Sequence, residues 1–278
     1  MKAVFLSFLL LVGMVRGETV WSAPPRKNLS LWLEVQRPWK WGMNWLIEQQ
    51  NDSGGWGEGN QEFRQTAQAL FLCFTEEAKG LPTKRRPEVS DGLERLLVLS
   101  KREGWSREDR AVAIRAFYFV RSEAEVAEAI EGGLQVLIEG ARESFAEEEV
   151  LRYAEKFGWG EEVGGLWERP LWDSQYENLS SSAMRGDQAG IEKWMDEVSQ
   201  RWRADLESQD PVLLAKLLQS LLLSGTGVFL DEEGNEQDVK AKVALVLMDL
   251  QEGDGSWATL ERTLAALEGL SYLSLSLK

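Results

Sequence analysis

The chain has 278 residues, 31 basic and 46 acidic, giving a formal charge of −15, with one cysteine and no histidine. So acidic a surface repels nucleic-acid phosphate and anionic lipid, and a lone cysteine forms no internal disulfide. Without histidine there is no histidine-dependent triad, no histidine general base and no ordinary histidine-ligated zinc site.

Lys2 precedes an apolar run from Ala3 to Val15, interrupted by Ser7 and Gly13 and followed by the small Gly17. This is the pattern of a secretory signal peptide over residues 1–17. The run is shorter than the roughly 20 apolar residues of an ordinary span, and no later segment qualifies. A secreted or periplasmic protein is therefore expected, with no transmembrane helix after signal removal; an uncleaved anchor is the alternative. Loss of Lys2 and Arg16 leaves 29 basic against 46 acidic groups, a balance of −17. Residues 18–36 read as an N-terminal extension and 37–278 as a single domain.

Apolar residues recur at helical spacing along that domain, as in Leu93, Leu96 and Leu97 or Val126, Ala129, Ile130 and Leu134. Alternating runs of β-branched residues are missing, so the expected class is all-α. The spacing predicts helices over 37–50, 61–78, 90–103, 107–121, 123–140, 144–157, 172–184, 187–206, 210–223, 236–252 and 258–274. Start signals support several of them: Ser90 and Asp91 before an apolar run, Ser106 with Asp109 as a capping box, and Asp210 before Pro211. The glycine-rich segment 158–170 reads as loop-rich, with a short helix within it as the alternative. Cys73, within "TAQALFLCF", reads as a small buried hydrophobe.

An internal repeat organises these elements. "WLIEQQNDSGGW" aligns with "VLMDLQEGDGSW", pairing Gln50 with Gln251, Gly54 with Gly255 and Trp56 with Trp257 at the same spacing. Each copy is followed by an apolar helix rich in alanine and leucine. A third copy, "LLVLSKREGWSREDRAVAIRAF", carries Gly104 and Trp105 but no glutamine, and "YAEKFGWGEE" around Trp159 is a candidate fourth.

At these residues the sequence resembles the squalene-hopene cyclase and prenyltransferase superfamily, whose glutamine-tryptophan motif matches Trp45, Leu46, Gln50, Gly54 and Trp56, with Gly42 as the small residue upstream. In the distal copy Val246 replaces the aromatic residue, while Leu247, Gln251, Gly255 and Trp257 match. The resemblance implies an α/α toroid of about six helical hairpins in two concentric rings. Physically, the motif is a brace. Gln50 satisfies backbone groups at a helix end, the glycines permit the turn, and Trp56 covers the next helix.

Catalytic signatures of the superfamily are diverged or missing. Proton-donating cyclases carry a D-x-D-D-T-A pattern, and "SREDRA" places Glu108 and Asp109 at its second and third acidic positions, with Ser106 in place of the first and Arg110 in place of threonine. A neighbouring arginine lowers a carboxyl pKa, which works against strong acidity, and the capping box with Ser106 is the plainer explanation of Asp109. No D-D-x-x-D run for magnesium diphosphate is present, the zinc of the protein prenyltransferases lacks its histidine, and Cys73 has no thioester G-C-G-E-Q context. No cofactor or metal is expected. Six-hairpin toroids also include secreted polysaccharide hydrolases and lyases. Glycoside hydrolysis needs two carboxylates flanking the sugar, and Glu58 and Glu62 beyond the first motif are the pair to test; solvated residues near a helix N-terminus are the plainer explanation.

Of thirteen tryptophans, Trp32, Trp39, Trp41 and Trp45 cluster early, and Trp167 and Trp172 flank a loop. Most are expected in the core or in braces. The expectation is thus a non-catalytic exported toroid that binds a hydrophobic small molecule or an exported protein, with a diverged isoprenoid cyclase or a polysaccharide-active enzyme as the alternative.

Overall fold

Long stretches of leucine, alanine and other good helix formers, punctuated by Asp-capped starts, give a chain that is mostly α-helical. The computed structural model describes residues 26–78, 87–102, 104, 105, 109, 112, 113, 116, 117, 175–230 and 234–277. In chain order these form α1 (Arg26–Glu48), a 3-10 turn (Gly59–Gln61), α2 (Glu62–Ala78), α3 (Pro87–Ser100), α4 (Gln175–Arg185), α5 (Gln188–Ser208), α6 (Pro211–Leu223), β1 (Val228–Leu230), β2 (Glu236–Asp238), α7 (Val239–Asp249) and α8 (Leu260–Ser276). Most predicted helices between 61 and 103 and beyond 172 agree with these within three residues. The segments predicted as 123–140 and 144–157 lie outside the described residues. Of 107–121, Asp109, Val112, Ala113, Ala116 and Phe117 are described, and all five are helical.

Two expectations need correction. The first helix begins at Arg26, well before residue 37, and carries Pro38 in its interior. A proline near a predicted start looks like a first-turn residue. Here the buried stripe Val35, Trp39, Met43 and Leu46 continues across it, and packing along that stripe outweighs the backbone hydrogen bond that proline cannot donate. The second correction concerns 236–252, whose first three residues form β2. Together with β1 it makes an antiparallel hairpin in the register Val228↔Asp238, Phe229↔Gln237 and Leu230↔Glu236. Gly227 and Gly234 adopt positive φ around the hairpin, and Asp238 then caps α7 by accepting from Ala241 N.

The chain divides into two compact units. One comprises Met1–Gly42, Trp172–Ala258 and Ala265–Lys278; the other comprises Met43–Leu171 and Thr259–Leu264. In the first, α4 packs on α5 and α6, and α6 on α7. Leu214, Leu217, Leu218 and Leu221 of α6 are fully buried, each stabilising the fold by roughly 1.5–3 kcal/mol relative to exposure. Gly269 of α8 approaches the Ala215 backbone so closely that an added Cβ would sit 3.2 Å from its Cα. In the second, α2 packs on α3. Its core joins Phe63, Leu70, Phe71 and Leu72, with Cys73 buried among them as expected, to Leu93, Leu96 and Leu99. Among the described residues, no helix is long and apolar enough to cross a membrane.

Candidate functional site

The two glutamine-tryptophan copies form the same device, one in each unit. In the first, α1 ends at Glu48 and the chain turns through Asn51 and Gly54, with Gly54 N donating to Asn51 O and Asn51 N to Gly55 O. Asn51 Oδ1 accepts from Ser53 N and Gly55 N, each at 3.0 Å. Gln50 Nε2 donates to Gly54 O inside the turn and to Glu88 O on α3, both at 2.6 Å. Trp56 Nε1 donates back to Leu46 O at 2.7 Å, and its ring lies over Gly92, where an added Cβ would stand 2.6 Å from Cζ3.

The second copy repeats the backbone turn and the glutamine and tryptophan contacts, with Asp254 Oδ1 accepting from Ser256 N where Asn51 holds the first turn. Gln251 Nε2 donates to Gly255 O and Pro38 O, both at 2.8 Å. Trp257 Nε1 donates to Leu247 O at 2.6 Å, and its ring lies over Gly42, whose added Cβ would be 2.8 Å from Cζ3. Gly54 and Gly255 have φ of +84° and +96°, and an added Cβ would meet Asp91 O at 2.9 Å and Trp41 O at 2.8 Å. Both positions therefore require glycine for conformation and for space.

The receiving segments, Glu88–Gly92 and Pro38–Gly42, lie fifty residues apart in the sequence. Gly42, counted above as upstream of the first copy, serves instead as the seat of the second. Both seats place a glycine four positions after the receiving carbonyl, a spacing without meaning until the partner is known, and that partner lies 213 residues away in the Gln251 to Pro38 bond. Two further bonds fix α1 there: Trp39 Nε1 to Ser271 Oγ at 2.8 Å and Gln36 Nε2 to Ser274 Oγ at 3.1 Å.

The third copy is built differently. One residue fewer separates Ser100 from Trp105 than Gln50 from Trp56. Ser100 Oγ donates within its own helix to Leu97 O at 2.9 Å, and Trp105 Nε1 reaches Leu99 O, six residues back. Trp105 stacks on Phe63 with ring centroids 4.5 Å apart. The segment around Trp159 lies outside the described residues, as do Trp167 and Trp172.

Glu58 and Glu62 occupy different environments. Glu58 is exposed and precedes the 3-10 turn without making a side-chain cap. Glu62 is buried and accepts from Arg95 Nε at 2.7 Å, from Arg95 Nη2 at 2.8 Å and from Ser53 Oγ at 3.0 Å. The Arg95 bonds hold its carboxyl below the usual value, with burial opposing and Ser53 assisting. The pair presses against Gly55, whose added Cβ would meet Glu62 Oε1 at 3.0 Å. Six residues after Trp257 the corresponding position is the buried Thr263, so the ion pair belongs to the first copy alone. Asp109 is helical and half-buried; Glu108 lies outside the described residues.

Sequence reasoning missed one buried polar cluster. Asp205 of α5 accepts from the hydroxyl of Tyr176 on α4, and Arg201 Nη2 stands 3.6 Å from its other oxygen. Both Asp205 and Tyr176 are buried, and burial pushes the Asp205 carboxyl up. The Arg201–Asp205 spacing is an ordinary helical ion pair; Tyr176, 29 residues earlier, gave no local signal. Of the early tryptophans Trp39 is buried, Trp32 and Trp45 are half-buried, and Trp41 is exposed with the Arg37 guanidinium 4.5 Å above its ring. Compared with protein-family profiles, characterised proteins and solved structures, the chain matches none.

Proposed function

We propose that the chain is an exported α/α toroid of about six helical hairpins in two concentric rings, resembling the squalene-hopene cyclases and prenyltransferases, that binds a hydrophobic small molecule or an exported protein without performing chemistry. The observation that carries this reading is the matched pair of braces. In a ring of hairpins each motif grips a neighbouring helix, and the last must grip the first. Gln251 and Trp257 engage Pro38 and Gly42 in that sense. The motif residues Trp45, Gln50, Gly54, Trp56, Gln251, Gly255 and Trp257 are thus architectural, and function belongs to surfaces that the braces hold in place.

The environment of Glu62 weighs against catalysis beside the first motif. A general acid at neutral pH needs a raised pKa, whereas Arg95 lowers this one. Native mass spectrometry of the purified protein, with solvent extraction of bound lipid and capture of co-exported proteins, tests the reading. A bound hydrophobic molecule or a stoichiometric exported partner is expected. A protein that is empty and captures no partner refutes it.

A further inference from the structure

The β1–β2 hairpin interrupts a helical chain, and its two faces differ. On one face Phe229 stacks on the buried Trp202, ring centroids 6.3 Å apart and nearly parallel. Lys242 reaches Gln237, the cross-strand partner of Phe229, and lies 5.9 Å from the Trp202 ring. That face anchors the hairpin. Alternation turns Val228 and Leu230 to the other face, where they are 57% and 64% exposed.

Cross-strand partners share a face. Asp238 therefore stands beside Val228, and Glu236 beside Leu230, both carboxylates exposed. The result is two aliphatic side chains bordered by two negative charges. A second copy is a poor occupant, since pairing two such faces would bring like charges together without compensation. A segment with cationic groups between aliphatic ones satisfies both features, and the protein's overall charge of −15 steers such a partner toward it.

We propose that the outer face of the β1–β2 hairpin is a docking surface for an extended segment of a partner protein in which aliphatic residues alternate with lysine or arginine. This rests on the partner-binding reading above and gives the partner its chemistry. Val228 and Leu230 supply the apolar contact, and Glu236 and Asp238 set its polarity.

Fluorescence polarisation of labelled ten-residue peptides against the purified protein tests it, using an alternating Lys–Val peptide and its Glu–Val counterpart at physiological salt. The Lys–Val peptide is expected to bind and the Glu–Val peptide not. The double variant Val228→Ser/Leu230→Ser, which leaves net charge unchanged, should weaken binding at least tenfold, as should Glu236→Lys, with helical circular dichroism and thermal unfolding intact in both. Equal binding by the double variant would show that net charge alone attracts the peptide, and would overturn the proposal. Failure of the wild-type protein to bind overturns it too, as does hairpin-dependent self-association in sedimentation velocity. If the peptide fails while an exported partner is still captured, the hairpin is excluded and the broader reading stands.

Discussion

Replacing Gln251 probes the distal brace most directly. Both of its partners are carbonyl oxygens, so the amide must present nitrogen. Gln251→Ala removes two neutral hydrogen bonds at a half-buried site, at about 1 kcal/mol each, or about 2 kcal/mol together. For a protein of this size that corresponds to a fall in Tm of about 6 °C. Gln251→Glu keeps the shape and places a carboxylate against two carbonyls. Its cost at pH 7 should exceed that of alanine, and the carboxyl pKa should rise in the folded state. A raised carboxyl pKa favours folding at low pH and disfavours it as pH climbs through the folded value, so Gln251→Glu should recover toward the wild type on acidification. Differential scanning calorimetry at pH 7 and pH 4.5 reads both effects. A glutamate variant as stable as wild type at pH 7 would show that no donor is needed and would refute the brace. The same series at Gln50, which shares no partner with Gln251, should give additive losses.

Three other outcomes follow from the geometry. Ala258, the residue after Trp257, sits at φ +69°, where the equivalent Gly57 has +80°; Ala258→Gly relieves left-handed strain of about 1–2 kcal/mol, partly offset by the greater entropy of unfolded glycine, and chemical denaturation should show a gain of about 0.5 kcal/mol. Glu62 has a lowered carboxyl pKa, so its stabilisation is present above the ordinary carboxyl value and is lost as pH falls through the lower folded one; the stability gap between wild type and Glu62→Gln should narrow over that acidic window, as followed by circular dichroism. Asp205 has the opposite shift, raised by burial, so its contribution is most favourable below the ordinary carboxyl value and falls as pH rises; Asp205→Asn should flatten that slope and gain relative stability toward neutral pH.

The braces were legible because everything that defines them locally, the glutamine, the positive-φ glycine and the indole, falls within seven residues. Their seats were not, because a glycine that accepts a ring from elsewhere looks like any other helical glycine. Gly92 and Gly42 acquire meaning only through Trp56 and Trp257. Pro38 misplaced the start of α1 for a similar reason: the stripe through Val35 and Trp39 is held by α8 residues such as Ser271, which local pattern cannot weigh. The hairpin escaped notice because three-residue strands are too short for alternation to register. Glu62 was singled out beside the first turn, yet its role depended on Arg95, 33 residues away.

The bond from Gln251 to Pro38 also bears on the order of events during synthesis. At about 5–20 residues per second, the distal motif leaves the ribosome roughly 10–40 s after the helix that it grips. Until then Trp39 and Gln36 have no Ser271 or Ser274 to meet, and so wide a separation slows closure further. The first helix cannot lock into its final packing before the last has been made, so Gln36 and Trp39 spend that interval without the serines that hold them.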